Sequence, residues 1–243
     1  MISISSIHPD DDMYTGDVEH YESCGRQFAD IIAHAVGKTD SRHPRMLELP
    51  CGYGRVTRHL VEKFAPEQIV VADIMEPCVA FCGSQFNVEA IQVVHPANEF
   101  RNIAEDAFDV AAMGSLVTHL SEENARITIE NFLSKIRSGG IGVITTHGER
   151  SRESLEARTW FELLEEDRTK LLSAYDSRSH GFVQYAPSHS FERKTVEIIG
   201  ASYGVSITHL DWMKKTIEEL DFSIDEFIQG GWDNHQDVYF IRC

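Results

Sequence analysis

The feature that most constrains the fold is a regular alternation of short β-rich runs with stretches of helical periodicity. In an α/β domain each parallel strand returns through a helix, which produces this alternation. The predicted strands are Arg45–Pro50, Gln68–Asp73, Ala90–His95, Phe108–Gly114, Ile141–Thr146, Phe222–Gln229 and Asp237–Arg242. We therefore predict an α/β fold with a mostly parallel sheet and helices on both faces.

The last two predicted strands are joined differently from the others. Only the eight residues Gly230–Asp237 connect them, which are too few for a helical crossover. The pair is therefore predicted to be antiparallel, so that a seven-stranded sheet ends with an antiparallel last strand.

Apolar periodicity also locates the helices. Gly139 and Gly140 are expected to follow the end of the helix predicted at Glu122–Arg137. The predicted ranges are Val18–Val36, Arg55–Phe64, Glu122–Arg137 and about His209–Glu219.

Two segments lie outside this alternation. One contains the N-terminal helix, and the other is a long insertion between the fifth strand and the last helix, a place where insertions often shape binding sites. The insertion begins with a charged helix predicted at about Arg152–Ala174 and continues through an aromatic stretch from Gly181 to Ser206. The predicted organisation is a single domain, 1–243, divided into an N-terminal cap (1–44), a core (45–147), an inserted cap (148–207) and a C-terminal helix and strand pair (208–243).

Composition limits the partners. The 243 residues include 22 Lys and Arg against 39 Asp and Glu, a formal charge of -17 that disfavours nucleic acid and anionic membranes. We therefore expect a small-molecule substrate. No apolar run reaches the ~20 residues of a bilayer span and the N-terminus does not resemble a signal peptide, so we expect a cytoplasmic protein. The five cysteines contain no CxxC pair, and we expect them to be reduced.

The strongest motif is a strand, a glycine loop and a helix over Met46–Leu60. Gly52 and Gly54 allow the backbone to turn sharply and to approach a ligand. Glu48 lies in the strand before the loop. Asp73 ends the next predicted strand, where a carboxylate can accept hydrogen bonds from a ribose.

Two cofactor classes use such a loop. A nicotinamide dinucleotide site usually has a third glycine, where this chain has Thr57, and a carboxylate at Glu48 would repel a pyrophosphate. S-adenosylmethionine carries a positive charge for Glu48 and a ribose for Asp73. The residues therefore favour S-adenosylmethionine.

At these residues the chain resembles the class I S-adenosylmethionine-dependent methyltransferases, over about residues 45–146 and 208–243. The family's acidic residue and glycine-rich loop correspond to Glu48-Leu-Pro-Cys-Gly-Tyr-Gly54, with Pro50 where many members have glycine. The resemblance implies a Rossmann-like fold and S-adenosyl-L-methionine as the cofactor. The residues predicted to bind the cofactor are Glu48, Pro50, Cys51, Gly52, Gly54, Asp73, Ile74, Met75, Asn98, Gly114, Ser115 and Tyr14.

Three further segments, Phe108–Leu120, Thr145–Gly148 and Gly231–Asp237, are similar to segments of a bacterial subgroup of uncharacterised methyltransferases often encoded near glycan-building enzymes. This similarity implies methylation of oxygen on a small hydroxyl-bearing acceptor, such as a sugar or another metabolite. Two alternatives stay open: a catalytically silent S-adenosylmethionine-binding partner protein and a dinucleotide-dependent oxidoreductase.

Two histidines are predicted to be catalytic. Ligands of open α/β sheets bind at the carboxyl ends of the strands, where His119 and His147 follow strands four and five. Imidazole accepts protons near neutral pH, although alignment alone supplies much of the acceleration of methyl transfer. The alternative for each is an interior histidine that bonds to the backbone.

The acceptor is expected to be bound by aromatic and polar residues of the insertion and of the last loop. Trp232 is suited to stacking on a sugar or, alternatively, to packing in the interior. No acids cluster at Gly114–Leu116, so we predict no metal ion, and we expect a monomer or homodimer. The predicted acceptor-binding residues are Tyr185, Tyr203, Ser206, Trp232 and His235.

Overall fold

The computed structural model describes residues 7–159, 163–185 and 203–243. In these ranges no helix is both long and apolar enough to cross a bilayer. The strands are β1 (Met46–Glu48), β2 (Ile69–Asp73), β3 (Glu89–Gln92), β4 (Phe108–Met113), β5 (Ile136–His147), β6 (His180–Gln184), β7 (Gly204–Thr208), β8 (Ser223–Trp232) and β9 (Gln236–Arg242). The helices are α1 (Val18–Val36), α2 (Thr57–Leu60), α3 (Glu76–Phe86), α4 (Glu122–Leu133), α5 (Glu149–Glu156), α6 (Glu165–Asp176) and α7 (Leu210–Glu219).

Seven strands form one sheet in the order β3-β2-β1-β4-β5-β9-β8. β1 pairs in parallel with β2 and β4, and β2 pairs in parallel with β3. β8 and β9 are antiparallel, as their short connection requires. The prediction of a seven-stranded, mostly parallel sheet with an antiparallel end is therefore confirmed.

The start of β5 differs from the prediction. The strand begins at Ile136 instead of Ile141, and α4 ends at Leu133. Gly140 lies inside this strand, where a Cβ would be 2.7 Å from the carbonyl oxygen of Asp109. Glycine is therefore needed here for the close approach of two backbones and not to end a helix.

The first compact unit comprises the described residues up to Gly114 together with Phe132–Val143. β1, β2 and β4 are buried along their whole length, which is typical of parallel strands covered on both faces. α1 has the predicted bounds, and the side chain of Asp17 caps it by accepting a hydrogen bond from the backbone N–H of His20. α2 is shorter than the predicted helix Arg55–Phe64.

A buried arginine connects α1 to the glycine loop within this unit. Arg58 is fully buried in α2, where its Nε donates to the carbonyl oxygen of Gly54 (3.1 Å) and its Nη2 donates to the hydroxyl of Tyr21 (3.3 Å). Tyr21 donates in turn to the carboxylate of Asp11 (2.6 Å), and a carboxylate oxygen of Glu22 lies 3.7 Å from Arg58 Nη1. One side chain thus fixes the N-terminal segment, α1 and the loop together.

The second compact unit comprises Ser115–Asn131 and the described part of Ile144–Cys243. It contains a separate two-stranded sheet, in which β6 and β7 pair antiparallel. The apolar side chains of this sheet pack against those of α5 and α6. The shared core consists of Leu155, Leu171, Tyr175, Val183, Val205 and Ile207.

The structure corrects the prediction for the insertion. The helix predicted at Arg152–Ala174 is two helices, α5 and α6, separated by Ala157–Leu164, of which residues 160–162 lie outside the described ranges. The aromatic stretch from Gly181 to Ser206 contains most of β6 and β7. Each of these strands has only five residues, so their alternation is too short to be recognised without the partner strand.

We expect Arg58→Met to lower the free energy of unfolding by about 3–5 kcal/mol, because it removes a buried cation whose partners then stay buried without it. Urea denaturation monitored by circular dichroism measures this change. Arg101→Met is the control, since Arg101 is exposed and its ion pair with Glu99 lies at the surface; we expect a change within about 0.5 kcal/mol. Equal losses in both variants would contradict a central role for Arg58.

Candidate active site

The glycine loop adopts the backbone conformation that its sequence predicts. Gly52 has φ +51° and Gly54 has φ +76°, both in the left-handed region. The N–H of Cys51 donates to the carbonyl oxygen of Ala72 (3.0 Å) and fixes the loop on β2. A Cβ on Gly54 would lie 2.4 Å from the Phe86 ring, whereas a Cβ on Gly52 would meet nothing within 4 Å. The backbone of Gly52 is therefore open to the close approach of a ligand.

Asp73 holds the loop and the turn after β2 in place. One carboxylate oxygen accepts from the N–H of Gly52 (2.9 Å), and the other accepts from the N–H of Met75 (2.9 Å). Burial raises the pKa of Asp73, while these backbone hydrogen bonds act in the opposite direction. Each carboxylate oxygen has a second lone pair, so Asp73 retains acceptor capacity for a ribose hydroxyl.

Glu48 is a buried carboxyl group at the end of β1. Its Oε2 accepts a hydrogen bond from the hydroxyl of Thr57 (2.7 Å). Burial raises the pKa of Glu48 from 4.5 to about 8, and the nearby charge of Asp73 adds to this, while the Thr57 hydroxyl lowers it. Thr57 therefore donates a hydrogen bond to Glu48 from the position where a dinucleotide site would have glycine.

An aromatic cluster next to the loop was not predicted. The ring of Tyr53, between the two glycines, stacks on His8 with centroids 4.1 Å apart and makes an edge contact with Phe81. Burial raises the pKa of Tyr53 to about 12, so it stays protonated. Tyr53 is the residue from which this cluster could have been predicted, because an aromatic residue inside a glycine loop needs a partner to pack against.

The other residues predicted to bind the cofactor lie at scattered places in the first unit. Ile74 and Met75 follow β2 and are half-buried, and Asn98 is half-buried in the 3₁₀ turn Ala97–Glu99. Tyr14 is half-buried, with its ring in edge contact with Tyr21 at 5.8 Å. Their roles stay predictions, as do those of Pro50, which follows a cis peptide bond in the loop, and Gly114, which follows β4.

Ser115, which follows Gly114 in the chain, belongs to the second unit. It has φ +57°, which is uncommon for a residue with a side chain. Its N–H donates to Thr145 Oγ1 (2.8 Å), and its Oγ accepts from Gln236 Nε2 (3.0 Å). Thr145 Oγ1 donates to Gln236 Oε1 (2.6 Å) and closes the ring of hydrogen bonds. This network explains the unusual backbone, and the sequence pattern did not single out Thr145.

The two histidines predicted to be catalytic are both buried in the second unit. His119 ends the 3₁₀ turn Val117–His119, and His147 ends β5. Their ring centroids are 6.4 Å apart. Burial lowers the pKa of His147 well below 6.5, and the neighbouring imidazoles lower it further, with His235 contributing more than His119. His147 is therefore a neutral imidazole at pH 7.

Several predicted acceptor-binding residues lie around these histidines. The Tyr203 ring stacks on His119 at 4.7 Å, and the Tyr185 hydroxyl oxygen is 3.0 Å from His119 Nδ1. The His235 ring lies 5.1 Å from the His147 ring. The side chain of Ser206 instead donates to the carbonyl oxygen of Val117 (2.7 Å), and its backbone carbonyl contacts His147.

Trp232 is 5% exposed at the end of β8, opposite Gln236, so its ring is in the protein interior. Its predicted stacking on an acceptor stays a prediction.

The two sets of residues suit different ligand chemistry. In the first unit, an open glycine backbone lies beside two buried carboxyl groups, which fits a ligand with a ribose and a positive charge, as S-adenosylmethionine has. In the second unit, the neutral imidazole of His147 suits the acceptance of a proton from an uncharged molecule. The geometry therefore fits the cofactor that the sequence predicted.

Comparison with known proteins agrees with this geometry. Residues 46–140, which include the glycine loop and Asp73, match the family described as "Methyltransferase domain". The chain is 23% identical, over 215 residues, to a malonyl-[acyl-carrier protein] O-methyltransferase of Bacillus cytotoxicus. This match covers 86% of the chain and 70% of that relative.

Solved structures share the fold. One of them is the crystal structure of 1,6-didemethyltoxoflavin-N1-methyltransferase from Burkholderia thailandensis, with bound 1,6-didemethyltoxoflavin and S-adenosylhomocysteine. Its TM-score with this chain is 0.58 at 15% sequence identity, and the match covers 98% of this chain and 84% of that one. An S-adenosylmethionine-dependent methyltransferase from Clostridium acetobutylicum is similar with a TM-score of 0.58 at 11% identity, covering 96% and 95%. The chain thus has the Rossmann-like methyltransferase fold, and S-adenosylmethionine is the cofactor consistent with these findings.

The raised pKa of Glu48 predicts how stability depends on pH. The folded protein holds a proton on Glu48 up to about pH 8, whereas the unfolded chain releases it near pH 4.5. The free energy of unfolding therefore falls as the pH rises between these values. Glu48→Gln imitates the protonated acid, so we expect the variant to be more stable than the wild type at pH 8.5, by on the order of 2–4 kcal/mol, and equally stable at pH 4.5.

Urea denaturation of both proteins at several pH values measures the difference. All other titrating groups are shared, so the difference isolates Glu48. A constant difference across the range would contradict the burial of an ionisable Glu48.

Proposed function

We propose that this protein is an S-adenosylmethionine-dependent methyltransferase that methylates oxygen on a small hydroxyl-bearing acceptor, such as a sugar or another metabolite. The observation that carries the proposal is the open backbone of Gly52 beside the buried carboxyl groups of Glu48 and Asp73, within residues that match a methyltransferase domain. The O-methyltransferase activity in the name of the Bacillus cytotoxicus relative supports oxygen as the attacked atom.

Each carboxyl group has a separate role in this proposal. Asp73 accepts hydrogen bonds from the ribose hydroxyls, while its contacts with Gly52 and Met75 keep it aimed at the loop. Glu48, as a carboxylate, offsets the positive charge of the cofactor. When bound, S-adenosylmethionine supplies a methyl group on a sulfonium, an electrophile that needs alignment more than activation.

His147 is the base in this proposal. It is neutral at pH 7 because of its burial, and its Nδ1 is bonded to the carbonyl oxygen of Ser206, so Nε2 is the nitrogen that accepts a proton. Removal of the hydroxyl proton makes the acceptor oxygen a better nucleophile as it attacks.

Calorimetric titration with S-adenosylmethionine and S-adenosylhomocysteine tests the cofactor, with NADH as a control ligand. We expect both sulfur ligands to bind and NADH not to bind. Asp73→Asn should lower the affinity for both sulfur ligands at least tenfold, because an amide accepts fewer hydrogen bonds than a carboxylate. Glu89→Gln is a matched control, since Glu89 is an exposed acid at the start of β3. Binding of NADH alone would support the oxidoreductase alternative.

The ionisation of Glu48 gives a second test of the same site. Since its pKa is about 8, Glu48 is mostly protonated at pH 6, and only the carboxylate attracts a cationic ligand. We expect the affinity for S-adenosylmethionine to rise from pH 6 to pH 8 and this rise to be absent in Glu48→Gln. S-adenosylhomocysteine lacks the sulfonium charge, so a smaller rise with this ligand would assign the attraction to the sulfonium. An affinity independent of pH in the wild type would contradict this role.

Turnover separates an enzyme from a silent binding protein. The protein is incubated with S-adenosylmethionine and a panel of sugars and other hydroxyl metabolites, and the formation of S-adenosylhomocysteine is followed by mass spectrometry. We expect acceptor-dependent formation. Cofactor binding without turnover on any acceptor would support the silent alternative.

A further inference from the structure

The residues that precede α1 form a turn held together by its own hydrogen bonds. This N-terminal turn comprises His8–Tyr14. The N–H of Asp11 donates to the carbonyl oxygen of His8, and the N–H of Tyr14 donates to that of Asp11, both over 3.0 Å. The Asp11 carboxylate also accepts from the N–H of Met13 (3.0 Å). His8 and Asp11 therefore belong to one hydrogen-bonded turn, in which fixing either residue restrains the other.

The N-terminal turn has one anchor on the glycine loop itself. The His8 ring lies on the Tyr53 ring, with centroids 4.1 Å apart and 6° between the planes. The N–H of Asp10 donates to His8 Nδ1 (3.1 Å) and so holds the imidazole in this plane. Phe81 of α3 makes edge contacts with both rings, at 5.1 Å and 5.9 Å. Since Tyr53 stands between the two loop glycines, the stack restrains the middle of the loop.

The second anchor reaches the same loop through α1 and α2. Asp11 is buried and accepts a hydrogen bond from the Tyr21 hydroxyl, whose oxygen accepts in turn from Arg58. Arg58 also donates to the carbonyl oxygen of Gly54. All these residues and those of the first anchor belong to the first compact unit. The two anchors therefore form a closed ring of contacts that starts and ends at the glycine loop.

We infer that the N-terminal turn is part of the cofactor site, and that His8 and Asp11 are positioning residues that hold the glycine loop in its binding conformation before the cofactor arrives. This role rests on the proposed methyltransferase function. It extends that function to a segment outside residues 46–140, which match the methyltransferase domain. Both residues act on the loop through other side chains, so neither needs to touch the cofactor.

The glycines of the loop are the reason why it needs such support. Glycine has more backbone freedom than any other residue and loses the most entropy when it is fixed. Gly52 and Gly54 both have left-handed φ values, and a Cβ on Gly52 would meet nothing within 4 Å, so no packing restrains Gly52 on that side. If the ligand had to order the loop, the lost entropy would weaken binding, whereas a loop that is already ordered avoids this loss.

Hydrogen exchange of the ligand-free protein, followed by NMR, tests this support without any cofactor. The reporters are the N–H groups of Gly52 and Gly54, each of which donates a hydrogen bond in the folded protein. We expect His8→Ala to speed their exchange about two- to tenfold, the range that the loss of one aromatic pair sets. His43→Ala is the matched control, since His43 is an exposed histidine of the same unit. Unchanged exchange in His8→Ala would overturn the inference.

Cofactor affinity separates positioning from general stability. Each variant is titrated calorimetrically with S-adenosylhomocysteine at a temperature where circular dichroism finds it fully folded. We expect His8→Ala to lower the affinity about two- to tenfold, and His8→Phe, which keeps a ring on Tyr53, to restore most of it. His43→Ala should bind as the wild type does. An unchanged affinity in His8→Ala, or no recovery in His8→Phe, would contradict the positioning role.

The second anchor is tested by Tyr21→Phe, which keeps the ring and removes the hydroxyl that links Asp11 to Arg58. Because both anchors act on one loop through one turn, the loss of either releases the turn. We therefore expect the affinity loss of the double variant, His8→Ala with Tyr21→Phe, to be smaller than the product of the two single losses. Single losses that multiply would mean independent effects and would overturn the inference.

The two measurements on His8→Ala also separate this inference from the proposed function. If exchange at the loop rises in the variant but the wild type does not bind S-adenosylhomocysteine, the turn supports the loop and the proposed function is wrong. If the wild type binds S-adenosylhomocysteine and the variant neither exchanges faster nor binds more weakly, the proposed function stands and the inference is wrong.

Discussion

The buried guanidinium of Arg58 is the interaction on which the glycine loop depends. Removing a cation from water costs several kcal/mol unless its hydrogen bonds are satisfied, so the Gly54 carbonyl and the Tyr21 hydroxyl must both be in place when the chain is folded. Tyr21 belongs to α1, and it is fixed in turn by Asp11. The shape of the loop is therefore set by the packing of an N-terminal helix as well as by the glycines.

Two acids are buried beside the same loop, and their burial costs free energy that a purely structural loop would not need to spend. Glu48 and Asp73 are buried acids whose hydrogen-bond donors are neutral groups, a hydroxyl in one case and backbone N–H groups in the other. Such pairing compensates the loss of hydration only in part, which is why burial raises the pKa of both. Groups with perturbed pKa values beside an open backbone are typical of functional sites, where stability is exchanged for binding.

The sequence predicted the main sheet because its signals are local. β1, β2 and β4 are short apolar runs, and the connection between the last two strands is too short for a helical crossover, so these two strands can pair only in the antiparallel direction. The loop residues could likewise be found, since glycine at a positive φ and acids at strand ends are visible in a single chain. The start of β5 was misjudged because Gly139 and Gly140 also look like a helix stop, and only the neighbouring backbone of Asp109 reveals why Gly140 is needed.

The backbone partners of the two histidines in β7 could not be predicted from the sequence. The contacts of His119 with Gly204 and of His147 with Ser206 join residues 85 and 59 positions apart, through backbone atoms that all residues share. The hydrogen-bond acceptors in β7 are main-chain carbonyl oxygens, so a substitution that keeps the strand in register leaves them unchanged. Gly204 itself is required by the close approach of the Val183 carbonyl. A region built in this way can exchange many of its side chains while the backbone of β7 keeps both imidazole rings in the same orientation, so the placement of the histidines tolerates sequence change.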